Sequence, residues 1–175
     1  MTALPTHKMT VDEYLTWAQD NPGRFELYAG VVYAMTPERV GHARVKFGVQ
    51  MALRAAIQRS GLPCHMLPDG MTVRVGAHTA HEGSYSPTAP WRSLILSSWS
   101  RCYRLRPATS MRQRNWPAFR VPDVQHYLIV DPDQRLVIHH ERGEGSVVTT
   151  RIMHEGSIHL DPPGIELAVA DFYVT

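Results

Sequence analysis

The sequence is poor in cysteine, with only Cys64 and Cys102 in 175 residues and no C-x-x-C pair. That excludes a disulfide framework and a cysteine knuckle for zinc. No apolar run approaches the roughly 18 residues of a membrane span. The opening stretch Met1–Lys8 lacks the apolar core of a secretory signal. Internal repeats and low-complexity tracts are also missing. At 43% hydrophobic and 19% charged, the composition is that of a folded chain, not a disordered one. The expectation is one domain spanning 1–175 around a single core, cytoplasmic and without a membrane partner. The sharpest absence is local. Between Glu82 and Asp123 there is no acidic residue, while Arg92, Arg101, Arg104, Arg106, Arg112, Arg114 and Arg120 fall there, with Trp91, Trp99 and Trp116. Without those seven arginines the net charge of +2 becomes −5, from 11 basic against 16 acidic residues. The basic balance therefore belongs to one segment, foreign in composition to its flanks.

Outside that segment the pattern is regular. Thr10-Val-Asp-Glu13 reads as a capping box, each end able to satisfy the other's backbone amide. The helix it opens carries Tyr14, Leu15, Trp17 and Ala18 and stops at Asn21-Pro22-Gly23. Phe25–Tyr28 and Val31–Met35 read as a hairpin turning at Ala29-Gly30. Pro37-Glu38 opens a longer helix to Ser60-Gly61, its apolar stripe Val45, Val49, Ala52, Leu53 and Ala56, with Lys46, Gln50 and Arg54 to one side. Short strands are expected near Cys64–Leu67 and Met71–Val75, parted by a turn at Pro68-Asp-Gly70. Tyr127–Val130 suits a buried strand. Arg135–His140, Ser146–Met153 and Ser157–Leu160 read as antiparallel strands, and Ile165–Ala170 closes the pattern.

Three stretches, Met9-Thr-Val-Asp-Glu-Tyr14, Arg24-Phe-Glu-Leu-Tyr-Ala-Gly30 and Val121-Pro-Asp-Val-Gln-His-Tyr-Leu-Ile-Val-Asp-Pro132, with His42 at the start of the long helix, carry a resemblance. In order and spacing they resemble the Uma2 family of endonucleases, over about residues 9–82 and 119–175. The resemblance implies an α/β, restriction-endonuclease-like core: a mixed β-sheet flanked by helices, with additional C-terminal antiparallel strands. It also implies the PD-(D/E)xK chemistry, in which an aspartate and a glutamate on neighbouring strands hold Mg²⁺. Hydrolysing a phosphodiester adds negative charge to a group already charged, and a hard cation held by carboxylates offsets it and lowers the pKa of the attacking water. DNA is the implied partner, while the residues leave the assembly open, with a homodimer among the options.

The family's P-D motif, its V-E-V-L-S-P-S-T strand and loop, and its lysine should fall within residues 83–119. Instead Ser86-Pro-Thr-Ala-Pro90 and Ser98-Trp-Ser-Arg-Cys-Tyr103 stand there. The genetic code supplies a reason. Reading from each third base, the Cys102/Tyr103 junction must give leucine. Trp99/Ser100, Ser100/Arg101 and Arg101/Cys102 permit valine, glutamate and valine, and the junctions from Tyr103 to Ala108 permit S-P-S-T-S. Pro87/Thr88 permits aspartate and Gln113/Arg114 lysine. The segment near 86–119 is thus expected to be the product of compensating frameshifts, in the gene or in its sequencing. The chain as written should be inactive or impaired, with this stretch poorly packed.

By the resemblance, Glu26 is a catalytic residue and a metal or water ligand, although a strand glutamate can equally be a solvated or paired charge. His42 takes the family's histidine position as a catalytic or phosphate-binding group. It also lies on the apolar face, where a hydrogen-bonded buried histidine would serve structure alone. Arg39, Arg44 and Lys46 on the long helix, with Arg54, are the candidates for DNA-backbone contact. His78-x-x-His81, placed in a loop, and the neighbours His139 and His140 do not make a zinc site, because adjacent strand residues face opposite ways. The arginine-rich stretch reads like a nucleic-acid binder, but the shifted frame explains the same letters. The alternative function is a non-catalytic DNA-binding or interaction module on the same scaffold.

Overall fold

A computed structural model describes residues 4–35, 39–63, 65–66, 71–83 and 124–173. Helix α1 spans Val11–Asp20 and is opened by the expected capping box. The Glu13 carboxylate accepts from the Thr10 amide at 2.7 Å, while the Glu13 amide donates to Thr10 Oγ1 at 3.3 Å. Strands β1 (Phe25–Tyr28) and β2 (Val31–Ala34) form the hairpin in the register Glu26↔Tyr33 and Leu27↔Val32. Both turn residues have positive φ, 49° at Ala29 and 83° at Gly30, the conformation that matches strand twist in a two-residue loop.

The His78 region is a correction. Strands β3 (Met71–Gly76) and β4 (Thr79–Gly83) pair antiparallel around a turn at Ala77-His78, so His78 lies in a turn and His81 in a strand. The turn signal there is Gly76-Ala-His78, which lacks the Asn-Gly or Asp-Gly letters that mark such loops. β1 pairs on its other side with β4, giving the order β2-β1-β4-β3. His78 Nδ1 lies 3.1 Å from the Met9 carbonyl, and the Val11 amide donates to Ala77 O at 2.8 Å. This ties the entry of α1 to the hairpin. Over the same sheet, Met9, Val11 and Tyr14 pack on Leu27, Val32 and Ala80.

Helix α2 runs Val40–Ser60, beginning three residues later than Pro37-Glu38 suggests. The expected strand near Cys64–Leu67 is described only at His65 and Met66, and neither is in a strand. β5 (His126–Asp131), β6 (Leu136–Arg142) and β7 (Val148–Met153) make a second antiparallel sheet. β8 (Ser157–Leu160) and β9 (Ile165–Ala168) make a third, followed by a 3₁₀ turn at Val169–Tyr173. Helices and strands together place the fold in the α/β class, and every pairing among the described residues is antiparallel. The larger core forms where Val49, Leu53 and Ala56 of α2 meet Leu128, Val130, Val137, Ile158, Leu160, Leu167 and Phe172. The anomalous segment 86–119 lies outside the described residues, and with it the expectation about its packing.

Candidate functional site

An ionisable side chain inside a fold costs several kcal/mol unless it is paired, so buried charge marks either a site or a closed polar network. Among the described residues the buried polar or charged side chains are Glu26, His42, Lys46, His126 and His139. Three of these five were singled out from the sequence.

Glu26 sits in the middle of β1, the strand flanked on both edges by β2 and β4. Alternation along a strand turns Leu27 toward α1 and Glu26 to the opposite face, yet Glu26 remains only 9% exposed. His42 occupies the first turn of α2 at 3% exposure. Lys46 lies four residues on, hence on the same helical face, and is also 9% exposed. Lys46 is thus on the buried face, a correction to the reading that set it to one side of the apolar stripe. The inward face of α2 is His42, Lys46, Val49, Leu53 and Ala56, so the two polar side chains continue the apolar stripe toward the helix N-terminus. None of Glu26, His42 and Lys46 is without a partner. Arg39, the N-cap of α2, and Arg44 and Arg54 within it are exposed.

No group of three or more His, Cys, Asp or Glu side chains that could hold a metal occurs among the described residues. Octahedral Mg²⁺ needs more than the Glu26 carboxylate from the protein and its waters, so the described residues do not by themselves fit that ion. The expected aspartate, glutamate and lysine positions all fall in the segment outside them.

The buried histidine pair was missed. His126 on β5 and His139 on β6 lie diagonally on one sheet face, with His126 Nδ1 3.0 Å from His139 Nε2. Each is 1% exposed. Burial holds both rings below the ordinary histidine range. His139 falls to about 4, and the neighbouring His126 ring adds to the effect. At the rim, Arg151 Nη1 donates to Glu141 Oε2 at 2.5 Å, which keeps the Glu141 carboxyl below its usual range. The Asp161 and Pro162 carbonyls act on His126 and favour its charged form. Its Nε2, however, has no hydrogen-bond partner among the described residues. One proton is shared across the Nδ1–Nε2 contact, and the tautomer sets which of the two rings donates it. The sequence signal was faint, since the two residues are thirteen apart and only the hairpin register brings them together.

No protein-family model and no curated protein matches the sequence. A solved structure from Anabaena variabilis ATCC 29413, described as a candidate nuclease belonging to DUF820, has a similar fold. The TM-score is 0.64 at 12% identity, covering 94% of this chain and 97% of the other. The likeness shows a shared fold. No helix among the described residues is long and apolar enough to cross a membrane.

Proposed function

We propose that this chain is built on the scaffold of a Uma2-like, Mg²⁺-dependent DNA endonuclease, and that with the residues it carries at 86–119 it binds DNA without cutting it. The observation that carries the reading is the fold shared with a DUF820 candidate nuclease over nearly the whole of both chains. Two features of this chain support it. Glu26, His42 and Lys46 are charged or titratable groups held inside the fold, where a fold selected for stability alone favours apolar side chains. Arg39, Arg44 and Arg54 are exposed cations on one helix that carries no carboxylate, as a DNA backbone requires.

The remaining acids and the lysine belong to the displaced reading of the segment. Restored with the letters its junctions permit, the segment carries P-D, then V-E-V-L-S-P-S-T, then lysine, alongside Glu26. The test uses two chains, the present one and one whose segment is replaced by the displaced-frame residues, in a plasmid-nicking assay with Mg²⁺ and with EDTA. The present chain leaves plasmid intact, and the restored chain nicks it only with Mg²⁺. Metal-dependent nicking by the present chain, at wild-type composition, defeats the proposal. The non-catalytic module is favoured by the exposed arginines alone. Its signature is salt-sensitive binding with no cleavage even after restoration.

A further inference from the structure

Along α2, Val40, Arg44, Phe47, Met51, Arg54 and Gln58 follow one another at steps of four and three, which sets them in a single stripe. All six are exposed. This stripe faces away from the buried side of His42, Lys46, Val49 and Leu53. Phe47 is 63% exposed and Met51 46%. Single exposed apolar residues are ordinary, but an aromatic ring, a methionine and a valine in line with two arginines form a patch of definite chemistry.

Charge selects the occupant. Helix α2 contains no aspartate or glutamate, and Arg39 at its N-cap, Arg44, Arg54 and Arg59 are all exposed. A second copy docked on this stripe would set arginines against arginines, whereas a polyanion is complementary. Duplex DNA would use the arginines and leave Phe47 idle, because its bases are already stacked on one another. An unpaired base offers an apolar face that the ring can cover, and that combination of phosphate contact and aromatic platform is how single strands are held.

We propose that the outer stripe of α2 binds single-stranded DNA, with Arg39, Arg44 and Arg54 on phosphates and Phe47 as the stacking platform for an unpaired base, flanked by Met51. This rests on the nucleic-acid reading above and adds the strand state and the stacking residue.

The test is fluorescence anisotropy with a labelled oligo-dT strand and a hairpin duplex of equal length, across a salt series. The chain binds oligo-dT more tightly than duplex. Phe47→Leu, which keeps apolar bulk but removes the ring, weakens oligo-dT binding about tenfold and leaves duplex binding unchanged. Phe47→Trp retains the oligo-dT affinity. The pair Arg44→Ala and Arg54→Ala weakens both forms and lowers the single-strand salt slope by about 1.4. Circular dichroism checks that each variant is folded. Duplex binding equal to oligo-dT binding, with Phe47→Leu silent, overturns this inference and leaves the DNA reading standing. A dimer in sedimentation that dissociates in Phe47→Leu overturns it in favour of a copy interface. Failure to bind either form removes the nucleic-acid reading as well.

Discussion

Acidification tests the buried histidine pair directly. Both rings are neutral in the folded chain because burial penalises the imidazolium, and in the unfolded chain each returns to the ordinary range. The folded value is the lower one, so their stabilising contribution is intact above the unfolded pKa and is lost as pH falls toward the folded value. For His139 that window runs from about 6.5 down to about 4. The full difference is worth about 3 kcal/mol, of which about 2 kcal/mol is lost between roughly pH 7 and pH 5. Other groups titrate nearby. His140, stacked on Tyr127 and hydrogen-bonded to Thr150 Oγ1 at 2.8 Å, is also lowered by burial and adds to the same trend. Glu141, held low by Arg151, contributes only at more acid pH. The assay is urea unfolding near pH 7 and near pH 5, where the midpoint drops by about 1 M at an m-value of about 2 kcal/mol/M. In the double variant His126→Leu, His139→Leu, most of that drop disappears, whatever its absolute stability at neutral pH. An equal drop in the native chain and the double variant would refute the reasoning.

Two further outcomes follow from backbone geometry. A Cβ on Gly48 would stand 2.5 Å from the Phe172 carbonyl oxygen and 3.2 Å from that of Asp171, so Gly48→Ala forces α2 off the closing 3₁₀ turn. It should cost about 1–3 kcal/mol in urea unfolding despite the higher helix propensity of alanine, and a gain in stability would contradict that packing. Ala29→Gly relieves a left-handed alanine at φ 49° in the β1–β2 turn. The variant should be stabilised by about 1 kcal/mol, read as a higher thermal midpoint.

The parts legible in the sequence are those whose cause is local. The α1 capping box, the β1–β2 turn and the buried stripe of α2 each depend on residues within a few positions of one another, and the structure has them where the letters put them. Placement of Lys46 depended on finer information. It follows Val45 in a stripe only partly apolar, and the i, i+4 link to His42 sets it inward as readily as outward. The β3–β4 hairpin escaped because its turn lacks the usual glycine and asparagine signals. The histidine pair is legible only once the β5–β6 register, His126↔Glu141 and Leu128↔His139, is known. Within a sheet, distance in sequence conceals contact. Phe47 escaped for another reason: its place outside the buried stripe stands out only when measured exposure is set beside helical position.

The two faces of α2 separate two requirements that a nuclease scaffold must meet together. Chemistry on a phosphodiester needs ionisable groups shielded from bulk water, where their fields are strong. Holding a polyanion needs cations at the surface, where counterions can be released. On the proposed reading one 21-residue helix would meet both, with His42 and Lys46 turned inward and Arg44 and Arg54 outward. On that reading, loss of the acidic residues from 86–119 removes cleavage and leaves the cations of α2 in place. The cations of the outward face and Phe47 all belong to α2. A chain that has lost cleavage can therefore keep binding. For this reason nicking and binding must be measured separately, because silence in the first says nothing about the second.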